Sequence, residues 1–178
     1  MNFYARRFNL YLLVPLAFAV AVMAVTGCAS SKKKHQPVGA VRIHIESTAN
    51  AEGQGQTVSV IRADPVLLTI SKDPVLTEAN LLKASLVETP GGFCIDLKFD
   101  QTSAWTLEQF TAAYGSKHFV IFGQWGDKLK DGRWLAAPLI TGRNATGLLA
   151  FTPDMTHEEA QKFVAGLNNV AKKIQTGK

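Results

Sequence analysis

The chain has 178 residues, a formal net charge of +5, 47% hydrophobic and 19% charged residues, and two cysteines. These values exclude a collagen-like, a disordered and a disulfide-stapled protein, and they describe one ordinary folded domain. The apolar residues are unevenly spread, because Leu10 to Val25 is interrupted only by Pro15. That run of 16 residues follows Arg6 and Arg7 and is shorter than the ~20 that a helix needs to span a bilayer. Residues 1–27 therefore read as a cleaved secretory signal and not as part of the fold.

The run ends in Val25-Thr26-Gly27-Cys28, and a cysteine directly after Thr-Gly resembles a bacterial lipoprotein signal, with Val25 standing where Leu is commonest. The resemblance implies cleavage before Cys28, acylation of its sulfur, and attachment to a membrane through the acyl chains. Ala29, where an Asp would be the alternative, resembles lipoproteins sent on to the outer membrane, so the expected place is the periplasm-facing envelope, outer membrane rather than inner. Loss of residues 1–27 leaves 151 residues and a net charge of +3. So mild a basicity implies no specific partner and no nucleic acid. With Cys28 acylated, Cys94 has no cysteine to pair with inside the chain.

Residues 28–40 carry Lys32, Lys33 and Lys34 without apolar periodicity and read as a lipid-anchored flexible tether ahead of a single domain, 41–178. Val41, Ile43 and Ile45 then alternate with Arg42, His44 and Glu46, which predicts a strand with His44 turned away from the apolar row. Further strands are predicted at Thr57 to Arg62 and Val66 to Ile70. Leu82 to Glu88 and Phe93 to Phe99 flank Thr89-Pro90-Gly91-Gly92 as a hairpin. Leu107, Phe110 and Tyr114 are at helical spacing and Gly115 supplies a stop. Phe119 to Phe122 reads as a strand, the pattern lapses from Gly123 to Pro138, and Leu148 to Phe151 is a last strand. Ala160, Phe163, Val164, Leu167, Val170, Ala171 and Ile174 recur at steps of three and four, and Thr156 with Glu159 predicts a capping box at the start of that helix. The order predicts an α+β domain, a mostly antiparallel sheet with two helices packed on one face.

No catalytic constellation is evident. His35, His44, His118 and His157 are scattered, no metal-binding pair or phosphate-binding loop occurs, and no serine sits in a nucleophile elbow, so neither metal nor cofactor is expected. Cys94 reads as a packed thiol, since no neighbouring Lys or His lowers its pKa. The unusual stretch is Gly123 to Trp134, where Trp125, Arg133 and Trp134 stand among glycines and charges. Trp and Arg anchor many interfaces, and Trp also seals the edges of cores, so these three are candidate partner contacts with a structural alternative.

From Leu76 onward the chain resembles the head of the first periplasmic domain of SecD, an accessory subunit of the protein-export translocase. The resemblance rests on Leu76-Thr77-Glu78-Ala79-Asn80-Leu81, Ile95 to Asp100, Gly115-Ser116-Lys117, Ala136-Ala137-Pro138, Thr141-Gly142, Gly147 to Thr152 and Glu158-Glu159-Ala160. It covers about residues 76–178, and residues 41–75 have no clear counterpart. It implies a non-enzymatic, lipid-anchored envelope module that contacts exported polypeptide or translocase components. SecD carries transmembrane helices that couple proton flow to pulling, and no such run follows the signal here. The alternatives are a cell-envelope hydrolase with a dispersed site, for instance Asp96, His118 and His157, and a structural envelope adaptor.

Overall fold

The computed structural model describes residues 36–48 and 55–177. Cys28, the signal and most of the expected tether lie outside them. In chain order the elements are β1 (Ala40–Ile45), β2 (Gly55–Val60), β3 (Val66–Ser71), β4 (Leu76–Thr77), a 3₁₀ turn (Glu78–Asn80), β5 (Leu81–Thr89), β6 (Gly92–Phe99), α1 (Gln101–Ala113), β7 (Phe119–Trp125), β8 (Asp131–Ala136), β9 (Leu148–Phe151) and α2 (His157–Thr176). The class is α+β, as the sequence predicts, and every strand pair is antiparallel.

The strands form three sheets in place of the one expected: a four-stranded sheet of order β4-β1-β7-β8, a three-stranded sheet β5-β6-β9, and the pair β2-β3. The pair does not extend the larger sheet because its own alternation makes an apolar face. Val58, Val60, Leu68 and Ile70 close on Val120 and form a second, small core with Trp134 and Ala137 at its margin. The main core lies on the other side of the four-stranded sheet. There Val41, Ile43 and Ile45 of β1, Phe119, Ile121 and Trp125 of β7, and Ile95, Leu97 and Phe99 of β6 meet Leu107 of α1 and Phe163 and Leu167 of α2.

The sequence shows no pattern between Gly123 and Pro138, yet β7 runs on to Trp125 and β8 returns beside it. These strands have an apolar core against each face, so the period-two contrast that reveals a half-exposed strand is lost. At Gly123 an added Cβ would lie 2.5 Å from the Leu135 side chain and 3.0 Å from the ring of Phe163, so the bare backbone makes room for that ring.

Both helices are capped. Asp100 accepts a 2.7 Å bond from the Ser103 amide at the start of α1. At the start of α2, Thr156 and Glu159 form the predicted capping box. Asn168 of α2 accepts from the Ala84 amide and donates to the Ala84 carbonyl, each at 2.9 Å. It thus supplies to the edge strand β5 the pair of bonds that another strand would. Among the described residues no helix is long and apolar enough to cross a membrane.

The end of the expected tether is packed: Gly39 and Ala40 are buried, and Asn169 donates to the Pro37 carbonyl. An added Cβ at Gly166 would lie 2.6 Å from the Gly39 nitrogen and 2.7 Å from the Val38 oxygen, so here the chain lies directly on the helix backbone. Gly166→Ala sets a helix-propensity gain of up to ~1 kcal/mol against displacement of backbone. We expect a net loss of about 1–3 kcal/mol in urea unfolding, and a stabilised variant would contradict this packing.

Candidate functional site

The residues singled out in the sequence do not form one surface. Trp125 lies at the end of β7, 3% exposed, edge-on to Phe163 with centroids 5.9 Å apart. It belongs to the main core and is no exposed loop anchor. Arg133 is half-buried, its guanidinium carbon 4.9 Å from the Trp125 ring centroid. It donates from Nε to the Asp154 carbonyl at 3.0 Å and from Nη2 to Glu159 at 2.6 Å. Burial pushes the Glu159 carboxyl up, but the Thr156 amide and Arg133 hold it below the usual carboxylate range. Arg133 therefore binds β8 to the first turn of α2.

Trp134 is on the other face of the sheet. It sits 5.1 Å from Phe122 and 5.6 Å, edge-on, from His44. The third tryptophan, Trp105 on α1, which the sequence reading passes over, is 58% exposed.

The hydrolase constellation is not gathered. His118 pairs with Glu46 at 2.7 Å and His157 with Glu88 at 2.7 Å, while Asp96 lies beside Cys94 on the face of β6 opposite Phe93. Burial, and then the Asp96 carboxylate, push the Cys94 thiol up, away from the nucleophilic form.

Beneath the β2-β3 pair the structure forms a site that the sequence reading misses. The pair covers Val120 and Ala137 but leaves a cleft of about 400 Å³ lined by Arg42, His44, Gln56, Lys72, Pro74, Phe122 and Trp134. Its floor is set by register: Arg42 stands opposite Phe122, and Phe122 opposite Trp134, in a row across β1, β7 and β8. Its far wall is the segment after β3, held by a 2.9 Å bond between His44 Nδ1 and the Ser71 carbonyl. A carbonyl only accepts, so Nδ1 carries a proton and donates. Burial lowers the His44 pKa, and Arg42 adds to this, against the Ser71 bond and Asp73, which raise it. Two further contacts hold the pair in place: Ser47 N to the Thr69 carbonyl at 2.8 Å, and Arg62, whose amide and guanidinium both bind Asp154. The Arg62 bonds hold the Asp154 carboxyl below its usual range.

No family model matches the chain, and no curated protein does. Solved structures similar to the chain include two of SecDF. One is of SecDF, described as a membrane component that enhances protein export: 20% identity, a TM-score of 0.51, and coverage of 75% of this chain and 63% of that one. The other is SecDF in a super-membrane-facing form: 20% identity, a TM-score of 0.52, and coverage of 73% and 18%.

The fold is SecDF-like.

The chain spans less than two thirds of the length of either SecDF chain, and at this identity the likeness concerns architecture alone. The matched 75% is longer than residues 76–178 can supply, so the SecDF-like part reaches into the segment ahead of Leu76. That segment brings Arg42, His44, Gln56, Lys72 and Pro74 to the cleft.

The depressed His44 pKa makes a signed prediction. A histidine harder to protonate when folded contributes stability that is fully present above its unfolded pKa, ~6.5, and is lost as pH falls below that value toward the folded pKa. Urea midpoints measured between about pH 7 and pH 5 should fall, and His44→Gln should flatten that slope. An unchanged slope in the variant would assign the effect to other groups.

Proposed function

We propose that the protein is a lipid-anchored, non-enzymatic binding module of the bacterial envelope, facing the periplasm, that contacts exported polypeptide or translocase components. The observation that supports it most is the SecDF-like fold, because one of the similar structures is of a component that enhances protein export. Cys28 after Val25-Thr26-Gly27 supports the anchor, and Ala29 supports final residence in the outer membrane. Residues 1–27 would be removed, and the domain would follow a tether.

Of the three contact candidates, Trp134 is the one we retain, because its ring lines an open cleft. Trp125 and Arg133 lie on the other face of the sheet, one within the core and the other bonded to Asp154 and Glu159.

The test uses the full chain in cells. Cys28→Ser should abolish acyl incorporation and move the protein from the membrane fraction to the soluble one. A photo-crosslinker at position 134 should capture translocase subunits or unfolded secretory chains, and one at the exposed Trp105 reports on a second surface. Capture of a single outer-membrane or cell-wall protein from both positions would sink the export reading and leave a structural adaptor.

A further inference from the structure

The cleft under the β2-β3 pair offers more chemistry than a packing defect does. Arg42 and Lys72 are exposed at its mouth, and neither has a carboxylate partner among the described residues. Asp73 is the acid whose charge bears on His44, and set against Arg42 and Lys72 it leaves one surplus positive charge among these three groups. That balance matches a monoanion such as a carboxylate better than a phosphate dianion. Phe122, Trp134 and Pro74 supply an apolar wall suited to a flat or branched side chain.

His44 adds the third feature. It is 7% exposed, and its Nδ1 is committed to the Ser71 carbonyl. Its Nε2 has no hydrogen-bond partner among the described residues, and none of their buried side-chain polar atoms is left unpaired. Nε2 is therefore reachable, and His44 lines the cleft. With Nδ1 protonated and the ring neutral, Nε2 is an acceptor and asks for an N–H donor. A carboxylate alone would leave it unsatisfied.

We propose that this cleft binds an acylated amino acid with a free carboxylate and an apolar or aromatic side chain: the carboxylate between Arg42 and Lys72, the amide N–H on His44 Nε2, and the side chain on Trp134 and Phe122. That chemistry occurs both as a free N-acyl amino acid and as the C-terminal residue of a polypeptide. The inference stands on the cleft itself and goes beyond the export reading, so either can fail alone. A volume of about 400 Å³ lies within the ordinary range for small-molecule sites.

The test is a titration of the full chain in detergent micelles, followed by calorimetry and by the indole NMR signal of Trp134, assigned with Trp134→Phe. N-acetyl-L-phenylalanine should bind and shift that signal. Its carboxamide, which lacks the charge, and 3-phenylpropionate, which lacks the N–H, should each bind roughly tenfold more weakly. Arg42→Gln and Lys72→Gln change exposed residues and should keep the unfolding midpoint while weakening the acid by a similar factor. The peptide Gly-Ser-Ala-Phe binding more tightly than N-acetyl-L-phenylalanine identifies the polypeptide end as the source. Weaker binding identifies the free acid, and either result keeps the site. Equal affinity for acid and amide, a response at Trp105 in place of Trp134, or no binding by any probe overturns the proposal.

Discussion

The rest of the structure depends on one constraint: the four-stranded sheet must be covered on both faces. β1 and β7 lie in its middle, and their alternation points Val41, Ile43, Ile45, Phe119 and Ile121 to one side and His44 and Val120 to the other. The first side is closed by α2 and by the three-stranded sheet, through fully buried groups such as Phe163, Ile95 and Leu97. Burial of a side chain of that size contributes on the order of 2 kcal/mol, so this layer carries most of the stability. Among the described residues the second side is closed only by the pair β2-β3. Two strands are too narrow to cover a four-stranded sheet, and the uncovered remainder is the cleft.

The polar contacts are arranged around that division. Arg133 and Arg62 reach toward the start of α2 from opposite sheets, one to Glu159 and the Asp154 carbonyl, the other to the Asp154 carboxylate. Both place the helix start relative to the strands, and both arrive where the α2 dipole is positive. The carboxylates there are favoured by the dipole, and each is then matched by a guanidinium. Asn168 acts similarly at the far sheet, satisfying the backbone of β5 where no strand follows. The ion pairs fix orientation, whereas the apolar layer provides the driving force.

What the sequence reveals follows from this asymmetry. α2 is legible because one stripe meets the core and the other face meets water, so Ala160, Phe163, Leu167 and Ala171 stand out at helical spacing. The β5-β6 hairpin is legible for the same reason at period two. β8 is hidden because it runs between two cores, and because Gly123, Gly126 and Gly132 dilute the pattern further. His44 is correctly read as facing away from Val41 and Ile43, but nothing local in sequence tells that another pair of strands covers that face. Trp125 and Trp134 look like one cluster along the chain. Across the hairpin the register sets Trp134 opposite Phe122, three residues before Trp125 on β7, and so sends the two rings to opposite faces. The acylation expected at Cys28 rests on a local motif that lies outside the described residues, so the fold has no bearing on it.

The site therefore belongs to no single sequence motif. Arg42 and His44 come from a central strand, Lys72 and Pro74 from the segment that carries the chain from β3 to β4, and Phe122 and Trp134 from the following strands. They converge because the chain doubles back over β1: Ser71 bonds His44, and Val75 N then reaches the Ile43 carbonyl at 2.7 Å. Similarity of fold to SecDF leaves the chemistry of such a place open, since a fold can host unrelated sites. What decides it is the combination of two cations without a carboxylate partner among the described residues, one acceptor fixed by its tautomer, and an aromatic wall. Each alone is an ordinary surface feature. Gathered around one cleft, they define the proposed ligand by charge, donor and shape at once.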